Sequence, residues 1–199
     1  MMTEMDYREY EERPCTPECM ACRPEQVFTI PEGTGIVEGF ADDSYIEANL
    51  PDEVEIIANR AFAGYASLRR LGFPPGLPRI GGHAFPECSS LREAVLPDGV
   101  EEIRGGTFFG CGALQTLVLP RGLRRIGAYA FGCCGSLRGV VIPDGVESIG
   151  QGAFSGCTAL REVSLPAAWQ SPERQRMLEN AGIPANIRVY NRKENRYGR

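Results

Sequence analysis

The chain has 199 residues, of which 43% are hydrophobic and 24% charged, and a formal net charge of −5. This composition is typical of a globular domain with a sizeable core, and the negative charge argues against a nucleic-acid-binding protein, which normally has a dominant basic field. One histidine, His83, and one lysine, Lys193, argue against most acid–base catalysts, and no segment has the roughly 18 apolar residues that a membrane span needs.

The first 26 residues are interpreted as an acidic N-terminal extension or cap. Residues 1–50 hold 12 acidic and 3 basic side chains, a net charge of −9. The N-terminus begins with polar and acidic residues and has no apolar stretch, so it does not resemble a secretory signal. We therefore expect a cytoplasmic protein, or a cell-surface or secreted one if the chain is a trimmed fragment.

Three cysteines of this extension, Cys15, Cys19 and Cys22, are spaced C-x3-C-x2-C. The spacing resembles the cluster motif of radical S-adenosylmethionine enzymes and could also supply three ligands of a zinc site. No fourth ligand is evident, and a disulfide or plain thiols are the other interpretations. We favour plain thiols and predict no cofactor and no metal; a metal or cofactor protein built on this cluster is the alternative function.

From residue 27 to residue 166 the sequence repeats with a period of 23. Such a period indicates a stacked repeat architecture, because each unit buries its apolar face only against its neighbours. The first turn, residues 27–50, is degenerate, since Pro31 and Pro51 are only 20 residues apart. The residues that recur every 23 positions include Pro51, Pro74, Pro97, Pro120, Pro143 and Pro166, and Phe62, Phe85, Phe108, Phe131 and Phe154.

Each unit predicts one short strand, a proline that ends it, a turn, and a second short extended segment. Proline ends a strand because it has no N–H to donate. The predicted fold is a solenoid of short parallel strands with an irregular, turn-rich opposite side. Phe85, Phe108, Phe131 and Phe154 are predicted to form one buried stack. The strands are predicted at residues 68–73, 91–96, 114–119, 137–142 and 160–165.

The repeated pattern I-G-x-x-A-F-x-G-C-x-x-L-x-x-V-x-L-P resembles the BspA-like leucine-rich repeat, a 23-residue class. The match covers residues 51–166 closely. The resemblance implies a leucine-rich-repeat solenoid used for protein interaction, and many members of the family are reported as surface or adhesion proteins.

The remaining chemistry-bearing residues of the repeats favour structural roles. A column of cysteines, namely Cys88, Cys111, Cys134 and Cys157, is predicted to be a ladder of small buried thiols. Cys133 and His83 occupy other columns and are expected at the surface. No nucleophile–base, phosphate-loop or paired-carboxylate pattern is present, so we predict that the protein is not an enzyme.

The candidate binding surface lies along the strands. One outward column carries Arg69, Arg92, Arg138 and Arg161, interrupted by Gln115, and a second carries Val95, Val118 and Val141. These columns could be repeat consensus on a solvated sheet, or a surface for a protein or peptide of unknown identity. The arginines favour an acidic ligand, and the acidic N-terminus is one candidate, in the same chain or in a neighbour, which would give self-association.

After Pro166 the period stops, and residues 167–199 are interpreted as a C-terminal cap and a basic tail. Pro172–Asn180 predicts a helix with Ser171 as its N-cap and Gly182 beyond its end. Ile187–Tyr190 alternates as a closing strand does.

Overall fold

The computed structural model describes residues 27–39, 44–166, 169, 171–183 and 188–191. The predicted N-terminal extension, with Cys15, Cys19 and Cys22, lies outside these residues, as does the end of the basic tail. The limits of the N-terminal extension therefore stay predictions. Within the described residues the chain is a parallel solenoid of about five turns with one short C-terminal helix, as the repeat predicted.

One side of the solenoid is formed by short parallel strands, which we call the first sheet. Successive strands along the chain lie side by side, and the repeats are in register, with Glu93 opposite Thr116 and Val95 opposite Val118. The first turn has a 20-residue offset, because Val27 lies opposite Glu47. The strands of the first sheet are β1 (Val27–Thr29), β3 (Glu47–Asn49), β5 (Arg70–Gly72), β7 (Glu93–Val95), β9 (Thr116–Val118), β11 (Gly139–Val141), β13 (Glu162–Leu165) and β14 (Arg188–Asn191). They form three hydrogen-bonded groups along this side, namely β1-β3-β5, β7-β9 and β11-β13-β14.

A second parallel sheet of six two-residue strands runs along another side of the solenoid. Its neighbours are also consecutive repeats, so that Ile103 lies opposite Ile80 and Ile126 opposite Ile103. The strands of the second sheet are β2 (Ile36–Val37), β4 (Ile56–Ile57), β6 (Arg79–Ile80), β8 (Glu102–Ile103), β10 (Arg125–Ile126) and β12 (Ser148–Ile149).

The repeated prolines form the corner between the two sheets. The carbonyl of Pro97 accepts a hydrogen bond from the N–H of Val100 at 3.1 Å, and Pro120 and Leu123 form the same turn at 3.2 Å. The strands of the first sheet are shorter than predicted, three or four residues in place of six. The reason lies at their start: Leu91, which the sequence placed in the strand, donates its N–H to Cys88 within its own turn at 3.1 Å.

The core is a continuous stack of phenylalanine rings. Consecutive rings of the five repeats are 5.0 to 5.5 Å apart between centroids and nearly parallel, with interplanar angles of 6° to 18°. All five side chains are fully buried. Offset aromatic pairs of this kind stabilise a core beyond the area that they bury. The predicted stack is confirmed and begins one repeat earlier, at Phe62.

The cysteine column is buried beside this stack, as predicted. The thiol of Cys111 donates to the carbonyl of Phe85 at 3.2 Å, and that of Cys134 to the carbonyl of Phe108 at 3.3 Å, and Cys88 and Cys157 repeat the contact. Burial raises the pKa of the Cys157 thiol to about 12 and that of Cys134 further. Cys134 and Cys157 are therefore free thiols that burial keeps protonated, which makes them poor nucleophiles.

One column of the turn-rich side carries Arg60, His83, Gly106, Tyr129 and Gly152, and from His83 onwards it alternates large residues with glycine. His83, Gly106, Tyr129 and Gly152 all have left-handed backbones, with φ between 50° and 62°. A Cβ atom on Gly106 would lie 2.2 Å from the His83 ring, and one on Gly152 would lie 2.4 Å from the Tyr129 ring. His83 therefore occupies the space beside Gly106 of the next repeat, and Tyr129 occupies the space beside Gly152.

The helix α1 (Pro172–Asn180) closes the C-terminal end. Ser171 is its N-cap, and Gly182 follows its end with a φ of 77°, as predicted. In the interior, Phe131 donates its N–H to the carbonyl of Ala153 in the next repeat at 2.8 Å; in the last repeat Phe154 donates to Ala181 at the same distance. The end of α1 thus supplies the acceptors that a further repeat would have supplied.

Candidate functional site

The four arginines Arg69, Arg92, Arg138 and Arg161, here called the arginine column, lie at the starting edge of the first sheet. All are exposed, and each immediately precedes a strand. Arg92 and Glu93 are both at least partly exposed, and consecutive residues of a pleated strand cannot share a face. The column therefore flanks the sheet face, whereas the sequence placed it on the strands.

Backbone hydrogen bonds fix the spacing of the arginine column. The N–H of Arg92 donates to the carbonyl of Arg69 at 3.2 Å, and that of Arg161 donates to Arg138 at 2.8 Å. Neighbouring arginines are thus about one strand spacing apart, roughly 4.8 Å. Gln115 separates the two pairs.

On the face of the first sheet the outward residues form an apolar stripe. Val95, Val118 and Val141, here called the valine stripe, are 48%, 46% and 55% exposed. Isolated exposed valines are ordinary, but three at equivalent positions of consecutive repeats make one patch, in which Val95 and Val118 are paired in register. The stripe ends at polar or small residues, Gly72 on one side and Ser164 on the other.

The one salt bridge on this side of the described structure does not involve the arginine column. Glu47 lies 3.9 Å from Arg70, a face residue outside the column. Within the described residues no carboxylate lies within 4 Å of the column itself. Arg161 directs its guanidinium to the carbonyls of Thr158 and Leu160, both at 3.0 Å. The guanidinium groups of the arginine column can therefore still bind carboxylates of a partner.

The sequence missed one contributor to this surface. Glu47 belongs to the degenerate first turn, which the repeat pattern described poorly. The signal that could have found it is its distance of 23 residues from Arg70, the same period as in the later repeats.

Opposite charges also pair between turns on the second sheet. Arg125 lies 3.4 Å from Glu102, and Arg124 lies 2.9 Å from Glu147. These pairs are exposed and contribute about 0–1 kcal/mol each. Because each pair joins residues of adjacent repeats, the pairs help to fix the register of otherwise similar turns.

The other predicted residues lie where the sequence placed them, without forming a reactive centre. His83 and Cys133 are exposed. Among the described residues no group of three or more histidine, cysteine, aspartate and glutamate side chains could hold a metal ion. The cluster Cys15, Cys19 and Cys22 lies outside the description, so the alternative function built on it stays a prediction.

Two shallow grooves occur away from the first sheet. The larger, about 540 Å³, lies between α1 and the second sheet, and its lining includes Glu173, Arg176 and Met177. The smaller, about 360 Å³, lies on the second sheet and includes Arg79, Glu102 and Arg104. Neither is lined by a serine, cysteine or histidine that could act as a nucleophile or base. In the described part of the chain α1 is the one helix, and its nine residues could not cross a membrane.

Comparisons with known proteins agree with this architecture. A leucine-rich repeat protein of T. pallidum has a solved structure that is 40% identical, with a TM-score of 0.63, and the alignment covers 66% of this chain and 64% of that one. The pneumococcal vaccine antigen PcpA is 21% identical with a TM-score of 0.68, over 80% of this chain and 40% of that one. The chain therefore spans less than two thirds of the length of either protein.

No curated protein matches the chain. The sequence model of the BspA type leucine rich repeat region, in six copies, matches residues 37–161 and 85–181, which together span most of the chain. The chain belongs to the BspA-type leucine-rich repeat family.

Proposed function

We propose that the protein is a non-catalytic interaction module that binds a protein or peptide along the face of the first sheet. The observation that carries the proposal is the valine stripe, an exposed apolar patch at equivalent positions of three consecutive repeats, with the arginine column three residues before it on the flank of the sheet. An apolar centre with arginine at the rim is the composition of a protein-binding surface.

The repeat architecture supports this function. A solenoid presents the same columns on every turn, so that a partner can contact several repeats at once. Leucine-rich repeat proteins are typically non-enzymatic interaction proteins.

The test compares what the wild-type chain and two variants capture from a lysate of the source organism. Val118→Asp puts a charge at the centre of the stripe, and Ile36→Asp makes the same change at an exposed position of the second sheet that is 52% exposed. We expect a partner that the wild-type chain and Ile36→Asp capture equally and that Val118→Asp loses. Capture of that partner by all three would place the binding surface elsewhere, and circular dichroism checks that each variant folds.

A further inference from the structure

We propose that the acidic N-terminal segment of this same chain, residues 4–12, binds back onto the first-sheet face with its carboxylates on the arginine column. The inference rests on the proposed function in taking this face as a binding surface. It adds the occupant, which an external partner would have to displace.

The first argument is charge. Residues 4–12, called the acidic segment, contain five carboxylates and one arginine, a net charge of −4. Residues 51–166 are neutral as a whole, with 11 acidic and 11 basic side chains. Because residues 51–166 are neutral as a whole, the arginine column is a local excess of positive charge on the first-sheet side. Arginine binds carboxylates through charge-assisted and often bidentate hydrogen bonds, the strongest contacts available to such an edge.

The second argument is position. The N-terminal residues join the fold at Val27, the first residue of β1, which is the edge strand of the first sheet. The chain therefore enters beside the proposed site, on the same sheet. Val118, in β9, lies four strands from β1, a distance of about 19 Å at a strand spacing of about 4.8 Å.

The third argument is length. Fourteen residues, 13–26, separate the acidic segment from β1. Fully extended, a segment of that length reaches about 50 Å, which exceeds the span of about 19 Å to Val118. A ligand tethered within reach of its site binds as if its local concentration were about millimolar. The segment thus competes well with a dilute external partner.

Apolar side chains accompany the acidic ones. Met5, Tyr7 and Tyr10 lie between the carboxylates of the segment. The valine stripe is about three residues, roughly 10 Å, from the arginine column along each strand. Side chains of this size can contact the stripe while neighbouring carboxylates contact the column.

The experiment is zero-length cross-linking with a carbodiimide, which joins a carboxylate to an amine only where the two are in contact. Arg92→Lys and Arg138→Lys, made singly in the full chain, keep the positive charge and supply the amine. Arg104→Lys, an exposed residue beside the second sheet, is the matched control. In the monomer of Arg92→Lys or Arg138→Lys, we expect mass spectrometry to find links from the introduced amine to residues 4–12. The yield of these links should be several-fold higher than in Arg104→Lys. The yield should fall as salt shortens the Debye length from about 30 Å at 0.01 M to about 3 Å at 1 M.

Two outcomes would overturn the inference. Links that occur equally in Arg104→Lys, or that are absent from all variants, mean that the segment does not occupy this face. Links found only in dimers mean that a neighbouring chain is bound in its place. Because the cross-link is measured on the isolated chain, its failure leaves the capture experiment with Val118→Asp unaffected, and each proposal can fail alone.

Discussion

Truncation of the central phenylalanine, Phe108→Ala, should strongly destabilise the solenoid. The ring is fully buried between Phe85, at 5.1 Å, and Phe131, at 5.5 Å. Removing about 100–150 Å² of buried apolar surface costs roughly 2.5–4 kcal/mol at about 25 cal/mol per Å². Two stacked pairs add about 0.5–1.5 kcal/mol each. Partial relaxation of the neighbours brings the expected loss to about 3–5 kcal/mol, the usual range for such a truncation.

The matched control is Phe154→Ala, at the end of the stack. Phe154 is as buried as Phe108 but has one stacked neighbour, Phe131 at 5.4 Å. Its truncation should therefore cost less by one aromatic pair, about 0.5–1.5 kcal/mol.

Urea denaturation followed by circular dichroism measures both losses, and fluorescence of Trp169, the one tryptophan, reports the C-terminal end separately. Coincident transitions would license a two-state free energy. A Phe108→Ala variant with unchanged stability, or one more stable than Phe154→Ala, would refute the stacked-core reasoning.

Three further predictions concern single columns of the repeat. Brief alkylation of the folded protein should label Cys133 before its neighbour Cys134, because Cys133 is exposed and Cys134 buried; equal rates in mass spectrometry would contradict the buried ladder. The free energy of unfolding should fall as pH rises from about 9 towards 12, because unfolded thiols ionise near 9 while burial raises the pKa of folded Cys157 to about 12. Each such thiol lowers the free energy of unfolding by about 1.4 kcal/mol per pH unit over this interval. Cys157→Ala should therefore flatten the dependence of the urea midpoint on pH. An unchanged slope would show that burial does not keep Cys157 protonated. Gly152→Ala should destabilise by at least about 1–2 kcal/mol, the left-handed backbone cost, because its φ is 62° and its Cβ would meet Tyr129. Gly112→Ala, with open space around its Cβ, is the control, and equal thermal midpoints for the two would refute the argument.

The sequence predicted the solenoid because the physics of stacking is periodic. Every repeat must place a phenylalanine over the previous one and a proline at the same corner, and both columns are visible as fixed spacings. The buried thiols follow from the same period, since a column that faces inward in one turn faces inward in all.

The errors arise where neighbouring repeats interact locally. The arginine column was placed on the strands because Arg92 follows Leu91 in the pattern. The turn that uses the N–H of Leu91 delays the strand to Glu93. The column of His83 and Gly106 was used only to place His83 at the surface. Its alternation of large residues with glycine is in the sequence, but its meaning depends on a left-handed backbone that the pattern does not display.

The C-terminal closure illustrates a further limit. The helix could be predicted from Ser171, Pro172 and Gly182, because capping chemistry is local. That the carbonyl of Ala181 takes the place of a repeat carbonyl could not, because the cap has no period that aligns it with the column of Ala153.

The alternation of large residues and glycine has a consequence for how such a protein can grow. Duplication of a single 23-residue unit would bring two large side chains together at one junction or leave two glycines facing an empty space. Duplication of two successive units, such as those that contain Tyr129 and Gly152, would preserve every contact between a large residue and glycine in this column. The C-terminal cap would still follow a repeat with glycine at this position. From His83 to Gly152, although not at the preceding pair of Arg60 and His83, the unit that preserves this column is therefore two turns, and we expect insertions within that span to come in even numbers of repeats.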